Sequence, residues 1–238
     1  MNQIITQHGW GLDKSFWDSY KIGFKKKQWH WQDNERGYFS KNANQSKWIK
    51  NDLNKGLKMV LCHSFGLHLI QGKLLKEATH VILINSFNNF LPASKNRNLV
   101  YRSLKRMEKK IISFQSEDML KEFLHRSFSP NDININFQNM YYKNLKSLNN
   151  NLLLNDLQKL YKDKHSLKSF EKNCNVVVIN SKNDLILDQD SSNKFIELLN
   201  KTLNKKPNVV ELSNQGHCLT NINFYQIIKR TLDEKYGN

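Results

Sequence analysis

Cysteine is scarce in this chain of 238 residues, and the three present, Cys62, Cys174 and Cys218, are an odd number without metal-ligand spacing. That pattern suggests neither a disulfide framework nor a zinc site, and reduced thiols are expected. Long hydrophobic runs are missing as well: no stretch approaches the roughly 18 uncharged apolar residues that span a bilayer. The opening MNQIITQHGWG lacks the basic-then-apolar pattern of a signal peptide, so a cytoplasmic location is expected. There is no internal repeat and no nucleic-acid-binding motif. Acidic residues are few, 21 against 37 basic ones, for a net charge of +16. Lysine makes up most of the basic set and asparagine is abundant, as an AT-rich coding sequence would produce. The informative property is therefore where the charge is concentrated.

Hydrophobic residues, at 39%, are enough for one domain of this length to build a core. Short β-rich runs alternate with helical stretches, the pattern of a parallel sheet covered by helices on both faces. Strands are expected at Gln3–Gln7, Gln28–Gln32, Leu57–Cys62, His80–Asn85, Asn175–Asn180 and Asn208–Leu212. Helices are expected at Ser15–Tyr20, Gln45–Asn54, Phe65–Glu77, Ser191–Leu203 and Ile222–Lys235. The interval between the fourth and fifth strands is too long for a loop and holds helix-like segments at Asn98–Ser113, Glu117–Ser127, Phe137–Ser147 and Asn151–Asp163. It reads as a helical lid over the sheet's carboxyl edge. The chain then divides into a core (1–87), a lid insertion (88–165) and the rest of the core (166–238).

Chemistry collects at the strand ends. The third strand runs into Cys62-His63-Ser64-Phe65-Gly66 and then a helical pattern, the context of a nucleophile elbow, with Cys62 where the G-x-S-x-G motif begins with Gly. An acid, Asp184, follows the apolar strand Val176–Ile179, with Asp188 and Asp190 as other candidates; His217 follows the last strand. Ser, Asp, His is the chain order of α/β-hydrolases. After the first strand, His8-Gly9-Trp10-Gly11 forms a glycine-flanked turn whose free N–H groups suit an oxyanion site. The N–H groups of Trp10 and Phe65 are the candidate donors. Neither Cys62 nor Cys218 occupies the elbow tip, which disfavours a thiol nucleophile.

On these residues the chain resembles the pimeloyl-[acyl-carrier-protein] methyl ester esterases of biotin synthesis. The similarity is clearest at His8-Gly9-Trp10-Gly11-Leu12 and Phe16-Trp17, and it is thin in the helical insertion. The resemblance implies an α/β-hydrolase fold and a cofactor-free, metal-free serine carboxylesterase. It places Ser64 as nucleophile, His217 as base, Asp184 as acid, and Trp10 and Phe65 as oxyanion donors. The family's early β-hairpin has no counterpart here, which implies a shorter sheet of about six strands.

The segment from Val100 to Ile111 places Arg102, Lys105, Arg106, Lys109 and Lys110 at helical spacing, with Val100, Leu104, Met107 and Ile111 opposite. One face can pack while the other offers positive charge. The resemblance implies an acidic acyl carrier protein docked on that face, its arm carrying the ester into the cleft. The expected protein is a monomer without nucleic-acid or membrane partners. Two alternatives stand beside it: a thioesterase or general carboxylesterase using the same residues, and a non-catalytic basic binding protein on a hydrolase fold.

Overall fold

The structure is a computed structural model that describes residues 1–25, 27–39, 42–49, 56–220 and 222–233. Six strands form one sheet: β1 (Gln3–Gln7), β2 (His30–Asn34), β3 (Lys58–His63), β4 (His80–Ile84), β5 (Asn175–Ser181) and β6 (Asn208–Leu212). Their order across the sheet is β2-β1-β3-β4-β5-β6, and every neighbouring pair is parallel. The connection from β1 goes one way and the connection into β3 returns past it, so strand order reverses between β1 and β3. At such a switch point the loops diverge and leave a crevice at the carboxyl edge.

Residues alternate between two buried faces. Ile4, Met59, Leu61, Ile82, Ile84, Val177 and Ile179 point into one apolar cluster, and Ile5, Val60, Cys62, Val81, Leu83, Val176 and Val178 into the other. This explains why β3, β4 and β5 read as continuous apolar runs. On the second face lie the helices α2 (Gly66–Leu69), α3 (Gly72–Glu77) and α8 (Gln189–Thr202), whose Leu67, Leu74 and Phe195 join that cluster. The first face is covered by aromatic residues from the 3-10 turn Lys14–Trp17, by α1 (Ile22–Lys25) and by α9 (Phe224–Asp233).

Between β4 and β5 come the helices α4 (Arg97–Ile112), α5 (Ser116–Phe128), α6 (Ile135–Asn144) and α7 (Asn150–Lys162). Each presents an apolar stripe to the first cluster, including Leu104, Leu120, Tyr141 and Leu157. A buried ion pair ties this insertion to the sheet. Arg36, just beyond β2, donates to both carboxylate oxygens of Asp156 on α7 (2.6 and 2.9 Å), and the Tyr38 hydroxyl donates to the same group at 2.9 Å.

Four expected elements differ. In place of a helix at Ser15–Tyr20 there is a 3-10 turn, Lys14–Trp17, capped by the Asp13 side chain. Residues 45–49 are not helical, because their polar groups bond across to other elements: the Ser46 N–H donates to Asn34, and Ile49 exchanges two bonds with the Gln3 side chain. The remainder of that expected helix, 50–54, lies outside the described residues. The expected helix Phe65–Glu77 is two short helices, since Ile70 and Gln71 are extended. Strand β2 starts two residues late because Gln28 adopts a left-handed conformation (φ 56°) that closes the preceding turn.

Candidate active site

Strand β3 ends at His63, and the next residue, Ser64, has φ 52°. Non-glycine residues rarely take this conformation, and here it turns the chain sharply from strand to helix. The turn is held by the Ser64 N–H donating to the Ile84 carbonyl at 2.9 Å. It also demands glycine two residues later: a Cβ on Gly66 would lie 2.3 Å from the Gln7 carbonyl oxygen. Cys62, where the motif has its first Gly, is buried in the second apolar cluster, with room for its side chain.

The turn after β1 packs directly against this elbow. A Cβ on Gly9 would sit 2.9 Å from the His63 ring and 3.0 Å from the Ser64 Cβ. His8, fully buried, locks the turn in place: its Nδ1–H donates to the Gly9 carbonyl and its Nε2 accepts from the Arg36 N–H. Those acceptor and donor identities require the Nδ1–H tautomer. Among the described residues, the backbone N–H groups of Trp10 and Phe65 have no acceptor. The Trp10 indole donates to the Leu153 carbonyl on α7 and meets Phe123 on α5 edge-on.

His217 and Asp184 come together from the loops after β6 and β5. The His217 Nδ1–H donates to Asp184 Oδ2 at 2.7 Å, while Asp184 Oδ1 accepts the N–H groups of Ile186 and Leu187 at 2.7 and 2.9 Å. The alternatives are engaged elsewhere. Asp188 caps α8, and Asp190 accepts from the N–H groups of Ala93 and Ser94. Asp184 is therefore the acid that the fold presents to His217. No hydrogen bond joins Ser64 to His217 among the described residues. Catalytic hydrogen bonds commonly tighten only when substrate binds.

The elbow and the base are bridged by His63, whose ring lies 4.9 Å from that of His217 and 4.5 Å from Phe16. Burial, and then the nearby His217, holds the His63 imidazole well below its ordinary pKa, so it stays neutral. Burial likewise pushes the thiols of Cys62 and Cys218 up. They are not poised as nucleophiles.

Ser64 and Trp10 open into a cavity of about 280 Å³ beneath α4 and α5. Its wall is largely apolar, with Phe90, Leu104, Met107, Met119 and Phe123, and its polar members include Arg106, Lys110, Arg126 and Glu122. The five cations of α4 are distributed unequally. Arg106 and Lys110 line this cavity, with Lys110 paired to Glu122, while Lys105 is paired to Glu108. Arg102 and Lys109 are exposed on the helix. Among the described residues, no cluster of acidic, histidine or cysteine side chains could hold a metal ion, and no helix is long and apolar enough to cross a membrane.

Comparison of the sequence with protein-family models finds no match, and comparison with curated proteins finds none either. Solved structures do resemble it. A bromoperoxidase from Bacillus anthracis superposes with a TM-score of 0.69 at 14% identity, covering 99% of this chain and 90% of that one. The chain has the α/β-hydrolase fold. An esterase from Exiguobacterium antarcticum matches with a TM-score of 0.67 at 13% identity (99% and 91% covered). An extracellular α/β-hydrolase from a Paenibacillus species matches with a TM-score of 0.59 at 15% identity, with 98% of each chain covered. At these identities the likeness is one of fold, and chemistry has to be argued from the site.

Sequence reasoning missed Asn85, which directly follows β4 with φ 43° and donates to the His217 carbonyl at 2.8 Å. The available signal was a polar residue closing the apolar run Val81–Ile84 at the carboxyl edge. It also passed over Arg36 and Asp156, 120 residues apart, which no local pattern connects.

Proposed function

We propose that this protein is a serine carboxylesterase that hydrolyses a pimeloyl-acyl-carrier-protein methyl ester to pimeloyl-acyl-carrier-protein and methanol. The observation that carries the hydrolase reading is the convergence of Ser64 at a left-handed elbow, the His217–Asp184 pair and two unpartnered N–H groups. His217 Nε2 removes the Ser64 proton as Oγ attacks the ester carbonyl. The oxyanion is stabilised by the N–H groups of Trp10 and Phe65. The tetrahedral intermediate collapses, and methanol leaves with the proton returned by His217. Water, deprotonated by His217, then attacks the acyl-enzyme and frees Ser64 and the acid. Asp184 holds the Nδ1–H tautomer and stabilises the imidazolium without taking the proton.

The substrate rests on two features. The apolar cavity wall suits a methylene chain, and Arg102, Arg106 and Lys109 offer unpaired charge to an acidic carrier. Lys105 and Lys110, already paired with glutamates, contribute less. The same pairing favours a second reading, a carboxylesterase or thioesterase for small free substrates.

One experiment separates these readings: hydrolysis of the carrier-bound methyl ester and of a short nitrophenyl ester by the wild type, Ser64→Ala and a triple reversal of Arg102, Arg106 and Lys109 to Glu. Ser64→Ala is expected to lose at least about 10³-fold on both esters. The triple variant is expected to lose activity on the carrier-bound ester alone. Equal behaviour of the triple variant on both esters removes carrier docking. Hydrolysis of the nitrophenyl ester only favours the second reading, and full activity in Ser64→Ala overturns the mechanism.

A further inference from the structure

The carbonyl of His217 is itself gripped by two buried side chains. Asn85, 1% exposed, donates from Nδ2 at 2.8 Å, and the His63 ring, also 1% exposed, reaches the same oxygen from Nε2 at 3.0 Å. A carbonyl can only accept, so His63 must carry its proton on Nε2. Its Nδ1 then has only a lone pair, and that atom is buried without a partner beside the Gly9 turn. Leaving a buried nitrogen unsatisfied is costly. The fold accepts this cost where the other nitrogen contacts the main chain of the base.

Asn85 is bound on every side. Its Oδ1 accepts the Ser181 N–H at 2.8 Å, which fixes the amide's orientation, and its Nδ2 also approaches Ser181 Oγ (3.0 Å) and the Gly216 carbonyl (3.3 Å). Ser181 closes β5 and starts the loop to Asp184, and Gly216 precedes His217. One side chain therefore ties the acid's loop to the base's loop. Its own backbone adopts the left-handed conformation, which asparagine tolerates better than most residues.

We infer that Asn85 and His63 are positioning residues, a two-donor clamp on the His217 carbonyl that holds the imidazole in register with both Asp184 and Ser64. This inference rests on the reading of Ser64, Asp184 and His217 as a triad. The Asp184 hydrogen bond fixes one edge of the ring; the main chain of His217 is held separately, by the two donors on its carbonyl and by the N–H of the same peptide, that of Cys218, which donates to the Ser127 carbonyl at 2.7 Å. With the carbonyl clamped from the elbow (His63) and from the end of β4 (Asn85), the base moves with the nucleophile. His63 is suited to this because it remains neutral beside a histidine that must become positive during turnover.

The test is the rate at which a fluorophosphonate labels Ser64, a reaction that requires His217 as base but no knowledge of the natural substrate. Asn85→Ala and His63→Leu are each expected to slow labelling about 10-fold to 100-fold, the usual effect of a misplacement near 1 Å. His63→Gln, which can return an N–H near the same position, is expected to recover most of the rate. Rates are compared between variants with wild-type near-ultraviolet circular dichroism. Should Asn85→Ala fail to fold, the His63 pair decides. Unchanged rates in His63→Leu, or equal losses in His63→Leu and His63→Gln, overturn the clamp, the second because packing and not the donor would then matter. Absence of labelling in the wild type, or undiminished labelling of Ser64→Ala, overturns the triad and the clamp together.

Discussion

Asp184 divides its two oxygens between two tasks. Oδ1 takes the N–H groups of Ile186 and Leu187, which fixes the carboxylate in the loop, and Oδ2 is left for the His217 Nδ1–H. Asp184→Asn should preserve the first task, since the amide oxygen can still accept both N–H groups. It should invert the second, because an NH₂ group facing Nδ1 forces the proton to Nε2, where the base needs a lone pair. The expected result is a fall in kcat of about 10⁴-fold with little loss of stability. A fall of less than 10-fold would mean that Asp184 does not set the tautomer. Ser64, His217 and Asp184 were legible in the sequence because each follows an apolar strand. The sequence favours Asp184 and keeps Asp188 and Asp190 as other candidates; their partners distinguish the three, since Asp184 bonds His217 while Asp188 caps α8 and Asp190 lies in its first turn.

The element that shapes the cavity is the lid, and its attachment differs from its packing. Its apolar stripes repeat at helical spacing, so all four helices could be placed within a few residues from the sequence. Among its ties to the core, which include the Trp10 indole on the Leu153 carbonyl and the Tyr141 hydroxyl on the Gly11 carbonyl, the charged one is the Arg36–Asp156 pair, joined by the Tyr38 hydroxyl, with Lys159 beside it at 3.0 Å. Burial alone would raise the Asp156 pKa, but the hydrogen bonds from Arg36 and Lys159 outweigh it and hold the carboxylate below its usual range. Asp156→Ala would leave Arg36 without its counter-charge and the buried Tyr38 hydroxyl without its acceptor. A loss of about 3 kcal/mol is expected, which corresponds to roughly 10 °C in Tm for a domain of this size. A calorimetric Tm within about 2 °C of the wild type would show that the ion pair contributes little to holding the insertion. Two of the misjudged elements share a physical cause, while the late start of β2 follows from the local turn at Gln28. Residues 45–49 and Ile70 depart from helix for reasons set by other parts of the fold, through bonds to Gln3 and Asn34 in one case and burial of Ile70 in the second core cluster in the other.

For the molecule as a whole, pH should act on stability in two stages. Burial lowers the pKa of His68 to about 4, with neighbouring His165 adding to it, and burial alone lowers that of His165 to about 4. The unfolded chain takes up these protons near pH 6.5, whereas the folded state resists them until about pH 4. Stability is therefore fully present above about pH 6.5 and declines as pH falls toward 4, because the unfolded state binds more protons throughout that window. Below it, Asp156, whose folded pKa is lowered by its bonds to Arg36 and Lys159, withdraws its contribution as it is protonated. Self-repulsion in a chain already at +16 adds to the decline. Thermal unfolding followed from pH 8 to pH 3 should show Tm falling from near pH 6.5 and more steeply below 4. A flat Tm between 6.5 and 4 would contradict the neutral, buried state of the two histidines.

The sequence by itself determined the layered α/β architecture, the number of strands and the helical insertion between the fourth and fifth. All of these depend on periodicity and on residue types placed next to one another in the chain. Tertiary structure alone decided which cations of the helical insertion are neutralised by glutamates, how Asn85 joins two loops, and how Arg36 finds Asp156. Each of those is a contact between groups distant in sequence, set by where a parallel sheet brings its carboxyl ends together. A local pattern carries no record of such a distance.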